Sequence, residues 1–157
     1  VNNPHEPTPP SVAAKSADEL KSLPSLEDTK IAVQAAMDQI TAAVSQLIPD
    51  ARWETLSDGS GNTCDHPYEQ SEGRSYFLPH VGAVRVPISE DQWASIQGIA
   101  KSAAAKLDAT DFQAMKDQPG NHDVGFYGPA GLAVNVAYSG NLVVTGFTGC
   151  RLPADQK

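Results

Sequence analysis

The sequence predicts an α+β domain: a two-layer sandwich in which two amphipathic helices pack on one face of a mainly antiparallel sheet, in the order α-β-β-α-β-β-β. Three observations carry this reading. Two stretches repeat apolar residues at helical spacing, around Val33–Leu47 and Trp93–Leu107. The last third of the chain alternates apolar and small or polar residues, with hairpin-length links that require antiparallel pairing. Each helix offers a single apolar stripe, so the simplest burial for both is the same sheet face.

The 157-residue length suits one domain plus a tail. Residues 1–24 read as a flexible proline-rich tether, 25–153 as the single α+β domain, and 154–157 as a C-terminal tail. In the tether, Pro4, Pro7, Pro9 and Pro10 favour extended backbone, Ser11 to Ser16 are small or polar, and a short helical turn fits Asp18–Leu23. The first helix is expected over Leu26–Ile48. Ser25 is placed as its N-cap, and Glu27 and Asp28 lie in the first turn, where the helix dipole favours acids. Val33, Met37, Ile40, Val44 and Leu47 form its stripe, and Pro49 ends it. Arg52–Leu56 reads as a strand with Trp53 and Thr55 on one face. Residues 57–75 read as a long irregular loop, a length that implies a function or a pin. Tyr76–Leu78 and Ala83–Val86 read as extended, broken by Pro79 and Gly82.

Ser89-Glu90-Asp91-Gln92 has the form of a capping box, which starts the second helix. Trp93, Ile96, Ala100, Ala103 and Leu107 form its stripe, and Gly98 weakens it by about 1 kcal/mol relative to alanine. Strands follow at Asp111–Lys116 and Asp123–Tyr127, then a turn at Gly128–Gly131. Leu132, Val134, Val136 and Tyr138 face one side of the next strand, and Ser139-Gly140-Asn141 turns the chain into Leu142–Thr148.

Nineteen acids against eleven bases give a formal net charge of −8. Nucleic acid and anionic headgroups repel such a chain, so neither is expected as a direct partner. No apolar run approaches the ~20 residues of a membrane-spanning helix. The chain starts at Val1, which reads as a processed or trimmed N-terminus, and no signal peptide is evident. Cys64 sits in a turn-rich loop and Cys150 at the end of the last strand. With no CxxC and no Cys/His cluster, zinc is not expected. A disulfide between the two in an exported protein is the expectation, and two buried free thiols in a cytosolic protein the alternative.

Motifs for chemistry are sparse. GxSxG, GxGxxG, Walker A and HExxH are absent, and no cofactor or metal is expected. Asp65-His66 and His122-Asp123 could each orient an imidazole as a general base, which makes His66 or His122 the centre of an alternative hydrolase reading. Neighbours on a strand point to opposite faces, however, so exposed turn residues are the simpler account. Convergence of two or more of His66, His80, His122, Asp58, Asp65 and Asp123 in one hollow would favour chemistry. An exposed aromatic or glycine-rich surface would favour binding. The face bearing residues 57–75 and Tyr76–Gly82 is expected to be that surface, with His66, Tyr68, Arg74, Tyr76 and Phe77 as binding residues.

The helix end Ile48-Pro49-Asp50, the tryptophan strand Ala51-Arg52-Trp53, a cysteine in a glycine/asparagine loop, a capped second helix and a terminal Thr148-Gly149-Cys150 occur together. This pattern resembles the small LppA-type lipoproteins of mycobacteria over about residues 26–152. Its sharpest elements are the tryptophan after Ile48-Pro49 and the paired cysteines. The resemblance implies an extracytoplasmic, lipid-anchored protein whose N-terminal cysteine, absent from this sequence, follows a signal peptide. It carries over no catalytic residue. The expected function is therefore that of a cell-envelope lipoprotein whose folded domain binds an envelope protein or small ligand without catalysis. The membrane is expected to be touched only through the anchor.

Overall fold

The computed structural model describes residues 7–157. Pro4 and His5, read as part of the tether, lie outside the described residues. Among the described residues the chain forms helices α1 (Pro10–Ser22), α2 (Leu26–Leu47) and α3 (Glu90–Ala105). Four strands lie between α2 and α3: β1 (Trp53–Thr55), β2 (Ser60–Thr63), β3 (Arg74–Phe77) and β4 (Val81–Ala83). Four more follow α3: β5 (Asp111–Gln118), β6 (Asn121–Tyr127), β7 (Ala133–Tyr138) and β8 (Leu142–Phe147).

All strand pairings are antiparallel. The sheet runs β1-β4-β8-β7-β6-β5, with β3 paired to β2 and continuing beside β8 where β4 leaves off. Residues 74–83 thus track one edge of the terminal segment, from Ala83 opposite Leu142, through Phe77 opposite Phe147, to the bridge between Arg74 and Arg151. Helix α2 packs on β8 and β3, and α3 lies beside α2 on β7 and β6. Among the described residues no helix packs on the other sheet face, which makes the domain the two-layer sandwich that the apolar stripes require.

Local chemistry sets each helix. Ser25 Oγ accepts from Asp28 N, and Ser89 and Gln92 form the reciprocal capping box. Val33, Met37, Ile40 and Val44 of α2 are buried with Trp93, Ile96, Ala100 and Ala103 of α3, against Val124, Phe126, Val134, Val136, Leu142 and Val144. Leu47 and Leu107, expected in these stripes, sit at the helix ends and keep part of their surface in solvent. Gly146 lets α2 approach β8: a Cβ there would lie 2.6 Å from Val33 Cγ1 and 2.8 Å from Met37 Sδ. Trp53 is half-buried, with Nε1 donating to Ser45 Oγ at 2.9 Å.

Three expectations are corrected. From Pro10 onward the tether is a 13-residue helix, α1, and not an undocked leash. Pro10 occupies its first turn, where a missing N–H costs nothing. Leu20, 0% exposed, anchors it in a small second core with Cys64, Cys150 and Leu152. The irregular stretch 57–75 contains strand β2, whose Ser-Gly-Asn-Thr sequence has no apolar signal because all four residues are exposed. With β2 added to the three extended segments read before α3, four strands precede that helix, and the four that follow it are those read from the sequence, so the order α-β-β-α-β-β-β undercounts both sides.

Cys64 and Cys150 are bonded, with 86 residues between them in sequence. In the chain-entropy account a loop of that size stabilises the fold by about 4–5 kcal/mol. The bond joins the end of β2 to the segment after β8 beneath α1.

Ile40 is fully buried at the α2–sheet interface, so Ile40→Ala should lower unfolding free energy by about 2–5 kcal/mol in urea titration. A loss below about 0.5 kcal/mol, the range of exposed sites, would show that α2 buries another face.

Candidate functional site

On the uncovered sheet face, beside the disulfide, lies an open cleft of about 400 Å³. Thr63, Asp65, His66 and Tyr68 supply one wall, Ala130 and Gly131 another, and Ser75 and Phe147 the floor. Phe147 stacks on Phe77 at 4.2 Å between ring centroids, and Phe77 is 42% exposed. The floor therefore carries one aromatic ring, Phe147, braced by Phe77 beside the cleft on the solvent side of the sheet, where single apolar residues are unremarkable but stacked rings beside a hollow are not.

The cleft wall is held from behind by the N-terminal segment. Buried Thr8 donates from N to Glu69 Oε1 at 3.1 Å and from Oγ1 to Glu69 Oε2 at 2.8 Å. His66 Nδ1 lies 2.6 Å from Thr8 Oγ1 and 2.8 Å from Glu69 Oε2. The Thr8 hydroxyl holds the Glu69 carboxyl below its ordinary range. Tyr68 OH donates to both Glu19 oxygens at 3.0 Å, and burial, followed by that contact, pushes its pKa up to about 12. His66 is thus oriented by Glu69 of its own loop and by Thr8 from far away in sequence, and Tyr68 by the distant Glu19. Gly73 permits the loop to pass over the disulfide, since a Cβ there would collide with Cys150 Sγ.

The five residues expected to bind do not share one surface. His66 and Tyr68 line the cleft and Phe77 backs its floor. Tyr76 points to the helix face, with Lys30 Nζ 3.9 Å from its ring centroid. Strand alternation separates Tyr76 from Phe77, and places Arg74 on the parity of Tyr76. Arg74 is exposed, its Nη1 donating to Gly73 O at 3.2 Å. Ser75 and Phe147 were not singled out from sequence. Phe147 did carry a signal, being an aromatic on the outward parity of a strand whose inward positions are Leu142, Val144 and Gly146.

The histidines and acids weighed for catalysis do not gather either. Among the described residues, His66, His80, His122, Asp58, Asp65 and Asp123 make no side-chain hydrogen bond with one another, and no cluster of three ligating groups could hold a metal. His122, 4% exposed, stacks flat on Trp93 at 4.6 Å. Its Nδ1 lies 3.1 Å from Asp117 Oδ1 and its Nε2 3.0 Å from Glu90 Oε1. Neither Asp123 nor Asp65 orients the histidine beside it. With a carboxylate on each nitrogen, His122 has no free nitrogen to take a proton from a substrate. It instead ties the β5–β6 hairpin to the first turn of α3, and Gly120 N also donates to Glu90 Oε2 at 3.1 Å.

An α+β sandwich with an aromatic-floored cleft, closed by one disulfide, defines a small cross-linked domain. Residues 1–154 match the LppA family, lipoproteins confined to pathogenic Mycobacterium, and the chain belongs to that family. The match reaches into the N-terminal segment, where no resemblance was evident. The fold is similar to that of the lipoprotein LppA from Mycobacterium tuberculosis, with a TM-score of 0.68 and 20% identity over 92% of this chain and 89% of that one. It is also similar to a DUF4853 family protein from Actinomyces odontolyticus, with a TM-score of 0.60 and 13% identity over 88% of this chain and 74% of that one. No curated protein matches the sequence. Membership of a lipoprotein family places the protein at a membrane or envelope. Among the described residues no helix is long and apolar enough to cross a membrane.

The His122 and Gly120 contacts hold the Glu90 carboxyl below its ordinary range, with His122 the larger cause. A depressed carboxyl contributes stability above its unfolded pKa and loses it as the pH falls through the folded value. The melting-temperature gap between wild type and Glu90→Gln should therefore be fully open at neutral pH and close in acid, below the ordinary carboxylate range. A gap that is constant with pH, measured by circular dichroism melts, would mean that the carboxylate charge contributes nothing.

Proposed function

We propose that the folded domain is a non-catalytic binding module, and that its site is the cleft beside the disulfide, taking a small ligand of the cell envelope. The observation that carries this reading is the cleft itself. It sets Phe147, stacked on Phe77 outside the cleft, beneath a wall of His66, Tyr68, Asp65 and Thr63, on the sheet face opposite α2 and α3. Its volume of about 400 Å³ lies within the range of small-molecule sites. The few polar groups have defined orientations, because Glu69 and Glu19 hold His66 and Tyr68 from behind. Pre-set donors and acceptors over an apolar floor favour binding by limiting the ordering cost on association. Lipid anchorage through an N-terminal cysteine upstream of this sequence belongs to the same reading.

Against the hydrolase alternative stand the carboxylates on both nitrogens of His122 and the placement of His66 Nδ1 on Thr8 and Glu69. The envelope-protein variant of the binding reading lacks comparable support, since the cleft is a hollow rather than a broad flat patch.

Native mass spectrometry of the domain equilibrated with a solubilised envelope extract tests the proposal. A co-isolated species should be retained by wild type and by Ile31→Ser, a change on exposed α2 surface, and lost from Phe147→Ala. Equal retention by Phe147→Ala, or no retained species with wild type, would contradict a ligand site in this cleft.

A further inference from the structure

On the helix side of the molecule, a second cavity of about 150 Å³ lies between the α1–α2 linker and the end of α3. Six of its lining residues are apolar, Leu23, Pro24, Ala32, Leu107, Pro129 and Leu132, and Thr29 adds a hydroxyl already given to Ser25 O. Arg151 also lines it and is 2% exposed. The guanidinium hydrogen bonds run through Nη1, which donates to Pro129 O at 3.0 Å and Cys150 O at 2.7 Å. Nε is buried with no partner.

A guanidinium withdrawn from water without a carboxylate beside it is a costly arrangement, and buried charges are ordinarily paired. Among the described residues, none of the ion pairs includes Arg151. Glu19 and Tyr68 act on it only through space, and burial lowers its affinity for its proton. Nη1 is committed to carbonyls, while the Nε side, enclosed by protein atoms, has no acceptor. That side of a guanidinium presents the parallel N–H pair that a carboxylate grips with two oxygens. Lys106, also on the cavity wall, is exposed and holds Gln39 Oε1 at 2.9 Å, which leaves its remaining ammonium hydrogens free. Asp108 is the acid on this wall, and it is exposed at the rim.

We infer that this cavity is a second binding site, selective for a small carboxylate with an apolar body, whose carboxyl group pairs with Arg151 while its hydrocarbon part fills the space among Leu23, Leu107 and Leu132. The apolar walls favour a carboxylate with hydrocarbon over a bare inorganic anion, which would leave them unfilled. At about 150 Å³ the space is much smaller than the cleft beside the disulfide, so the ligand is compact. The site is separate from the cleft beside the disulfide. The two lie on opposite sides of the segment 129–132, and neither needs the other occupied.

Sodium benzoate is a suitable probe and benzamide its uncharged counterpart, followed by amide NMR on the whole chain. Benzoate should give saturable shifts at Leu23, Leu107 and Arg151 and leave Ser75 and Phe147 in place. Benzamide should bind at least about tenfold more weakly, the difference expected for hydrogen bonds to a charged group. Ala32→Leu fills the cavity without touching the charges and should abolish the shifts. Lys106→Gln should weaken binding several-fold. Arg151→Met would strip two buried carbonyls of their donor and so threatens the fold itself, which leaves the two other variants to carry the test. No saturable shift at millimolar benzoate, equal affinity for benzamide, or undiminished binding by Ala32→Leu would overturn the inference.

Discussion

The bond between Cys64 and Cys150 gathers the loop-bearing end of the molecule onto the end of the sheet. The main core, where α2 and α3 cover β6–β8, is large and continuous and closes without it. The other end has much less to hold it. Strand β2 is wholly exposed, residues 64–73 form no regular element, and α1 has one fully buried apolar residue, Leu20. The disulfide supplies the missing constraint and is itself the centre of the second core, with Leu20 and Leu152 against it. Loop, helix and cleft wall therefore share one attachment. Tightness at that point is shown by Gly73, which has no room for a side chain over the sulfurs.

Polar contacts then set what the disulfide brings near. Thr8 and Glu69 position His66, Glu19 positions Tyr68, and Glu90 with Asp117 fixes His122 at the other end of the sheet. Each ring is held by an acid, and each also receives a group from a distant segment: Thr8 at His66, Glu19 at Tyr68 and Glu90 at His122. Such contacts are individually small where exposed. Their role here is to reduce the number of arrangements open to the loop and the hairpin. Arg151 is the exception to this pattern, a buried cation whose acid does not touch it.

What the sequence discloses follows from where the signal lies. Helices α2 and α3 were legible because their stripes and caps are local, and the β7–β8 hairpin because its alternation and Gly140 turn are local too. Helix α1 was not, since a segment of prolines, alanines and polar residues offers little apolar surface, and its burial rests on Leu20 meeting a disulfide far along the chain. Strand β2 is held by its ladder to β3, which leaves no mark in side-chain pattern. Half of the candidate site was visible: His66, Tyr68 and Phe77 were, but their supports Thr8 and Glu19 act across long separations. Phe147 was readable as an aromatic on the outward parity of its strand. Tyr76 was misplaced because aromatic residues adjacent in a strand were grouped as one surface.

The central claim is that the disulfide organises the loop-bearing end separately from the main core. Amide hydrogen exchange compared between the oxidised protein and the Cys64→Ser/Cys150→Ser variant tests it directly. The account predicts that protection falls in α1 and in residues 60–77, while α2, α3 and β6–β8 keep theirs relative to global stability. Equal loss across the whole domain, or unchanged protection in α1 and the loop, would contradict it.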